Sequence, residues 1–426
     1  MRAALWFLAL FGVAVAIALF AGNNQGTITV FWPPHRVDLS LNLVVLALAL
    51  LFFALHVALR TLAALFAIPS QARSWRIQHQ ERALYACLLD ALSHLVAGRF
   101  IRARKAVQLV LARESAMARS GETLAYSARL RALSHLLAAE SAQALQDKAG
   151  REEHFRQALE QATLHDAQEM REGVQLRAAR WAVEDRDAIS ALEWLDQLPQ
   201  GVARRTVALR LRLKAARMAR QTTVALETAR LLAKHRAFSD VAAQGLVRGL
   251  AIEMLMSAYD PDQLQVAWNQ LDTAERLMPE VAMQACIRML KLGGDVTLAQ
   301  SWILPVWDRM VEQPESLTQD QRIHLIQVLE SGFALASGPP DAQWLTRIEK
   351  AQMTSPGDSA LLYLAGITCM RLQLWGKAQQ LLKQALPRLI DVGLQRKAWL
   401  ALAQLAEQRG DADAVAQAWE GAAKAG

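Results

Sequence analysis

Two long apolar stretches open the chain, and an amphipathic helical pattern follows them to the end. Residues 3–21 carry no charge, and residues 41–60 carry none before Arg60 at their end. Each stretch matches the roughly 20 apolar residues with which an α-helix crosses the hydrocarbon core of a bilayer. The pattern therefore predicts a transmembrane hairpin over residues 1–68, with spans at 3–21 and 41–60 and a short turn between them.

The positions of arginine predict how this hairpin is oriented, since basic residues remain on the cytoplasmic side. The turn carries Arg36 next to Asp38, whereas Arg60, Arg73 and Arg76 follow the second span. We therefore expect a two-span protein of the cell inner membrane with both termini in the cytoplasm. A cleaved signal peptide is the alternative for the first stretch, although its end lacks a good small-x-small cleavage site.

The turn and the end of the second span have local signals of their own. Residues 27–32 (TITVFW) are β-prone, Pro33-Pro34 interrupts them, and residues 36–39 can form a second strand. We expect the second helix to pass Arg60 and to stop at Pro69. His56 lies within the second span and is a minor functional candidate, because ionisable residues are costly in a membrane.

Beyond residue 80, apolar residues recur every three or four positions, which predicts helices throughout. The clearest unit, residues 358–390, fits the tetratricopeptide pattern of large and small residues on two antiparallel helices. We expect about eight or nine such helical hairpins, so the fold class is all-α: a two-helix transmembrane hairpin followed by a tetratricopeptide-like α-solenoid. The pattern positions in the clearest unit are Leu362, Gly366, Cys369, Ala378, Leu382 and Ala385.

Clusters of proline and glycine suggest where this solenoid is divided. The richest lie around Pro314, at residues 337–341, and at residues 355–358. The predicted organisation is a basic juxtamembrane helix with degenerate repeats over 69–312, an irregular connector over 313–357, and C-terminal repeats over 358–426.

Motif searches give no catalytic or metal site. The sequence lacks HExxH, GxSxG, GxxxxGK[ST] and GxGxxG, and its three cysteines are far apart. The nine histidines are scattered, without the close helical spacing of metal ligands. Seven of the twelve tryptophans fall on repeat helices and are interpreted as packing residues: Trp181, Trp194, Trp302, Trp307, Trp375, Trp399 and Trp419. We therefore expect no enzymatic activity, no metal and no resident cofactor.

Two basic clusters are the candidate binding surfaces, and each has a simple alternative as a solvated helix face. Residues 199–226 contain seven basic residues and no acid, within an overall net charge of +7. There an apolar stripe of Val207, Leu211, Ala215 and Met218 is expected beside a candidate anion or partner face made of Arg210, Lys214 and Arg217. The candidate anionic-lipid face comprises Arg73, Arg76, Arg82, Arg99, Arg102, Arg104 and Lys105.

Several motifs together resemble the HemY family, the inner-membrane protein of the proteobacterial tetrapyrrole-biosynthesis operon. They are residues 22–30 after the first span, ARSW at residues 72–75, Gly98-Arg99-Phe100, and residues 361–386. The resemblance implies an association with a late step of protohaem synthesis, as a scaffold for pathway enzymes. It implies no catalytic residue. An unrelated flavin-dependent oxidase shares the name, but this sequence lacks its dinucleotide fingerprint.

Three functions remain open from the sequence. The first is a membrane-anchored scaffold that recruits tetrapyrrole-pathway enzymes, and the second is a general assembly or quality-control adaptor for membrane proteins. The third is a haem- or porphyrin-binding protein, with propionates on the Arg210, Lys214 and Arg217 face and His235 as a ligand. Nucleic acid is not expected, because no aromatic residues interleave with the basic ones. The oligomeric state is left open.

Overall fold

The computed structural model describes residues 11–18, 22, 26–121, 124, 126–335 and 342–425. Most of the first predicted span therefore lies outside the described residues, although residues 11–18 are helical. Among the described residues, one helical segment, Leu41–Ala63, is long and apolar enough to cross a membrane, with a mean hydropathy of 2.5 and no buried residue. The hairpin of two spans stays a prediction.

The predicted β-hairpin is confirmed. Strands β1 (Thr27–Trp32) and β2 (His35–Ser40) pair antiparallel on either side of Pro33-Pro34. The hairpin leads straight into the next helix, because Leu41 donates its backbone N–H to the Gly26 carbonyl at 2.8 Å. The Ser40 hydroxyl accepts a hydrogen bond from the Leu43 amide at 3.3 Å and so caps this helix.

Helix α1 (Leu41–Val96) is 56 residues long and includes the apolar segment. The predicted stop at Pro69 is wrong, since the helix passes this residue and ends only at Ala97-Gly98. Proline removes one amide donor and can kink a helix, but a long helix with good helix formers on both sides can tolerate that loss. α1 therefore crosses the predicted domain boundary at residue 68 as one continuous element.

The remaining helices belong to two compact units, Met1–Gln168 and Glu169–Gly426. The first unit contains α2 (Phe100–Arg119), α3 (Ser127–Ala144) and α4 (Lys148–Gln161). The second, in which α5 begins at the boundary, contains α5 (Gln168–Glu184), α6 (Ala188–Asp196), α7 (Gln200–Ala203), α8 (Thr206–Met218), α9 (Thr222–Lys234), α10 (Asp240–Met256), α11 (Pro261–Asn269), α12 (Thr273–Arg276), α13 (Pro279–Lys291), α14 (Val296–Glu312), α15 (Gln319–Leu335), α16 (Ala342–Thr354), α17 (Ser359–Arg371), α18 (Trp375–Ala385), α19 (Val392–Arg409) and α20 (Ala412–Lys424). Short 3₁₀ turns occupy His165–Ala167, Pro314–Ser316 and Leu386–Arg388.

The helices form consecutive antiparallel pairs. In many of these pairs the two helices are joined by the same type of backbone turn. In each of these turns a residue with positive φ follows the first helix, and the next amide bonds to the carbonyl five residues back, as in a Schellman motif. Thus Asp147 donates to Ala142 at 2.9 Å, and Leu374 donates to Cys369 at 2.9 Å. The positive-φ positions within pairs are Gly98, Gln146, Arg186, Arg220, Gly293, Gln373 and Gly410.

Aspartate recurs at the other side of these turns, where the following helix begins. Asp147 accepts a hydrogen bond from the Gly150 amide, Asp187 from Ser190, and Asp411 from Ala414. Such N-caps satisfy amides that would otherwise lack a partner and contribute about 1 kcal/mol each. The turn and its cap together define the repeat at the backbone level.

Residues 313–357, predicted to be an irregular connector, instead contain α15 and α16. The interpretation was wrong because the clusters around Pro314 and at residues 355–358 stand at helix ends, while apolar spacing continues between them. The cluster at residues 337–341 lies outside the described residues. Phe333 and Trp344 are buried, and their rings meet edge to face with centroids 5.9 Å apart. One hydrophobic core extends through this segment, from Val183 to Ala418. The domain boundaries at residues 312 and 358 stay predictions.

Candidate interaction surfaces

The predicted basic face lies on α8, where its three residues share one exposed side of the helix. Arg210, Lys214 and Arg217 are all exposed, and they are three and four residues apart, so they follow one another turn by turn. Lys214 and Arg217 form no ion pair with any residue that the structure describes. Two cations are therefore available for an anionic group.

The apolar stripe predicted beside this face is wrong in part. Val207 is 64% exposed and Met218 is 36% exposed, so neither lies in the core. The helix packs between neighbours on two sides, which requires a wider buried arc than one stripe. The buried residues of α8 are Ala208, Leu209, Leu213, Ala215 and Ala216.

Arg210 differs from the other two residues because it makes contacts within the chain. Its guanidinium donates to the backbone carbonyl of Ala237 at 3.0 Å and lies 5.7 Å from the centre of the Phe238 ring. This contact brings the α9–α10 loop, which begins near the exposed His235, next to the basic face. The loop is fixed by a charge-assisted hydrogen bond and a cation–π contact.

The seven residues of the predicted anionic-lipid face do not form one cluster. A helix rises 1.5 Å per residue, so Arg73 lies about 15 Å beyond Ala63 along α1, and Arg82 about 28 Å beyond it. Exposed charges are screened over about 8 Å at physiological ionic strength. Arg73 and then Arg76 are therefore the nearest of the seven to a membrane that ends at Ala63, whereas Arg99, Arg102 and Lys105 lie farther along the first helix pair.

Arg104 makes an internal contact. Its guanidinium donates to Asp147 at 2.8 Å, and both side chains are about one third exposed. A hydrogen bond from the Gly150 amide, and then the Arg104 contact, lower the pKa of Asp147. This ion pair ties α2 to the α3–α4 turn, so Arg104 does not belong to the lipid-facing candidates.

The structure brings together two histidines that the sequence did not pair. His135 on α3 and His154 on α4 have their Nδ1 atoms 3.2 Å apart, and both are half-buried. Burial, the neighbouring His154 and then Arg131 lower the pKa of His135 to about 4. Burial and then Arg104 lower the pKa of His154. Only the register of the hairpin could have indicated this contact, because the residues are 19 positions apart.

Polar contacts also link successive repeats. Glu330 on α15 accepts hydrogen bonds from the Tyr363 hydroxyl on α17 and the Lys397 ammonium on α19, both at 2.8 Å. Burial and the adjacent Glu330 carboxylate raise the pKa of Tyr363. Arg230 on α9 forms a two-pronged ion pair with Glu275 on α12, at 2.8 and 2.6 Å. These contacts fix the angle between neighbouring helix pairs.

Other side chains are placed as packing residues. Trp181, Trp302 and Trp307 are buried, as predicted, whereas Trp419 is 51% exposed. Burial raises the pKa of the Cys286 thiol to about 12. No group of three or more histidine, cysteine or acidic residues that could hold a metal occurs in the part of the chain that the structure describes.

Residues 26–146 match the family model described as HemY protein N-terminus. This region begins before β1, includes α1 and α2, and ends at the positive-φ residue that closes α3. Residues 26–146 are therefore similar to the N-terminal region of HemY proteins. The HemY region thus contains the β-hairpin, the apolar segment and the first helix pair, and together with that segment it indicates association with a membrane.

No curated protein matches the sequence. Solved structures that resemble the chain include the Cut9–Hcn1 hetero-tetramer of APC/C, at 13% identity over 79% of this chain and 65% of that one, with a TM-score of 0.28. Naa15/Naa10 bound to HypK-THB matches at 12% identity over 78% and 57%, with a TM-score of 0.22. Yeast Tom70 matches at 14% identity over 80% and 69%, with a TM-score of 0.26. The chain spans less than two thirds of the first two proteins.

Proposed function

We propose that this HemY-family chain is a scaffold anchored in the inner membrane, which recruits partner proteins at the cytoplasmic face. The observation that carries the proposal is the continuity of α1. The same helix contains the apolar segment Leu41–Ala63 and, about 32 Å farther along, the buried Leu84 of the first helix pair. A membrane position is thereby transmitted to the first helix pair without a flexible linker.

The charge distribution supports a cytoplasmic location for the repeats. Arg60, Arg73 and Arg76 follow the apolar segment, whereas the β-hairpin before it has Arg36 paired with Asp38 at 3.4 Å. Excess arginine marks the cytoplasmic side. A second span within residues 3–21 then places the N-terminus on that side as well.

Lys214 and Arg217 on α8 form the proposed partner surface. Arg210 lies beside them and contacts the α9–α10 loop. Stacked helical repeats bind proteins through extended surfaces, and two unpaired cations favour acidic segments of a partner. The resemblance to HemY proteins supports enzymes of a late step in protohaem synthesis as the partners. We propose no catalytic role, because the sequence contains none of the catalytic motifs considered above.

Cross-linking in membranes tests the proposal. The full chain and the double variant Lys214→Glu/Arg217→Glu would be cross-linked, solubilised and purified with their partners. A matched control, Lys350→Glu/Arg396→Glu, changes two exposed cations elsewhere in the second unit that also lack an ion pair among the described residues.

We expect tetrapyrrole enzymes to be recovered with the native chain and with the control. Their recovery with the α8 variant should be at least about tenfold lower. Recovery of chaperones or envelope-assembly proteins alone would instead identify a general adaptor. Equal recovery with both variants would remove α8 as the partner surface.

Tetrapyrrole binding is a second candidate, because Arg210 holds the loop beside His235 against the basic face. Titration of the full chain in detergent with haem tests it through the Soret band. A shift at micromolar haem that disappears in His235→Ala would support binding at this face, and an unchanged spectrum would dismiss it.

A further inference from the structure

An apolar stripe on α1 faces away from the packed core. Tyr85, Leu89, Leu92 and Val96 are 39%, 63%, 45% and 82% exposed. Their spacing of four, three and four residues places them on one side of the helix. A different side, roughly 110–130° around the helix, is buried against α2 and α3 through Leu84 and Ala91, which are 1% and 0% exposed.

Exposed apolar residues are unexpected at this position. α1 and α2 form the first helix pair, and the terminal repeat of a stacked array needs a polar outer face to remain soluble. Here the outer face of α1 carries two leucines, a valine and a tyrosine. Contiguous apolar surface of this kind marks an interaction site.

The stripe follows a heptad register on α1, which polar residues at Gln71, Gln78 and Arg82 interrupt before the apolar segment. Leu89 and Val96 occupy one seam position, called a, and Tyr85 and Leu92 occupy the other, called d. In the same register the exposed Trp75 and Arg82 fall at a, and Gln78 at d. Within the apolar segment the a positions are small, which permits close helix approach in a membrane: they are Ala47, Ala54 and Thr61.

We propose that a second copy of this chain covers the stripe, so that two α1 helices form a parallel coiled coil from the membrane to the first helix pair. The inference rests on the proposed membrane anchoring, because two copies inserted in the same orientation necessarily present α1 in parallel. On a straight helix, positions seven residues apart drift around the axis by about 20° per heptad. The two helices would therefore form a left-handed supercoil to keep their seams in contact.

The residues that flank the seam are compatible with this pairing. In a parallel coiled coil each g position faces the e position five residues on in the second copy. The charged g residues Arg60 and Glu81 would face Leu65 and Ala86, so no like charges meet at these flanking positions. Arg82, the one charge at a seam position of the continued register, would meet Arg82 of the second copy, and the Glu81 side chains at the adjacent g positions would offset these like charges.

Cysteine cross-linking in native membranes tests the seam. Leu89→Cys and Leu92→Cys would each be introduced with Cys87→Ala, so that the remaining native cysteines, Cys286 and Cys369, are buried. The matched control is Asp90→Cys, an exposed neighbour outside the seam. Mild oxidation is expected to give a species of twice 47.1 kDa with both seam variants and at least about tenfold less with the control.

Three outcomes would each overturn the proposal. They are a dimer that forms equally in the control, a cross-link to a protein of another mass, and a monomer that stays in the membrane fraction. Failure to reach the membrane fraction would refute the membrane anchoring instead, and seam-specific dimers in that case would still support the pairing.

As a second measurement, Leu89→Glu/Leu92→Glu should halve the particle mass in detergent with unchanged helical content, because both residues are exposed in the single chain. An unchanged mass would also overturn the proposal.

Discussion

Gly366 and Leu382 meet where α17 and α18 approach most closely. A Cβ atom on Gly366 would lie 2.7 Å from Cγ of Leu382 and 3.4 Å from its backbone nitrogen. The first distance is shorter than Cβ contacts normally are, whereas the second is at the limit of ordinary contact, so the buried Leu382 side chain would have to shift. The close approach of these two helices therefore requires glycine at this position.

Gly366→Ala is expected to destabilise the protein by about 1–3 kcal/mol, because overpacking outweighs the gain in helix propensity. The measurement is urea unfolding of the full chain in detergent, followed by circular dichroism. Gly376→Ala is the matched control, since its Cβ meets nothing within 4 Å and alanine favours the helix. An equal effect of the two substitutions would contradict the assigned contact.

Gln373→Gly is expected to stabilise the α17–α18 turn by roughly 0.5–1 kcal/mol. Gln373 has φ of 61°, a left-handed conformation that costs a residue with a side chain more than it costs glycine. The reverse change, Gly410→Ala at φ of 71°, should destabilise the neighbouring turn by about 1 kcal/mol. Hydrogen exchange of the amides in the two turns would report both effects. Protection that changes in the same direction for both would disprove this account.

Glu330→Ala is expected to cost about 1–3 kcal/mol, because it leaves the buried Tyr363 hydroxyl without an acceptor. Lys397→Gln should cost less than about 1 kcal/mol, since the lysine side chain is 44% exposed and water replaces its contact. The ranking would be measured by denaturant unfolding, with Tyr363→Phe as the isosteric control that removes the donor alone. A larger loss for Lys397→Gln than for Glu330→Ala would contradict the buried hydrogen bond.

The pair of His135 and His154 predicts a loss of stability in acid. The pKa of His135 is lowered to about 4 in the folded protein, whereas an unfolded histidine has a pKa near 6.5. Between these values the unfolded chain binds more protons, so stability is fully present above pH 6.5 and falls as the pH drops towards 4.

His135→Gln should remove most of this dependence, which is on the order of 2 kcal/mol after allowance for partial exposure. Unfolding midpoints at pH 7 and pH 5 would measure it. The exposed His235→Gln serves as the control and should keep the native slope. The same slope in His135→Gln would show that other groups cause the acid sensitivity.

The arginines after the apolar segment predict the orientation of the chain in cells. A Thr27→Cys label in the β-hairpin should react with an impermeant maleimide outside the cytoplasmic membrane, and Asp90→Cys should not. Replacement of Arg60, Arg73 and Arg76 by glutamine should reduce that difference at least several-fold. Replacement of Arg99, Arg102 and Lys105 is the matched control. Labelling of Asp90→Cys in the native background would reverse the proposed topology.

The parts of the fold predicted from sequence are those in which one residue type has one structural meaning. The β-hairpin follows from the run of β-branched residues before Pro33-Pro34. Gly366 likewise marked the close helix contact. Repeats whose turns use Gln146, Arg186 or Arg220 were harder to recognise, because those residues do not ordinarily mark a left-handed conformation.

The remaining errors arose where tertiary packing decides. Pro69 stands in a helix that the residues on both sides maintain, and Val207 looked like a core residue until the packing of α8 on two sides was known. The contact of His135 with His154 depends on the register of two helices, which no local pattern encodes. Both candidate basic faces were recognisable as charge clusters, but only the structure showed that Arg104 is bound to Asp147.

The length of α1 also makes it a lever arm. From Ala63 to Val96 the helix extends about 50 Å, so a change of 10° in the tilt of its apolar segment would move the first repeat sideways by roughly 9 Å. Helices tilt to match the thickness of the bilayer around them. The height and position of the first helix pair above the membrane would therefore follow the local lipid composition.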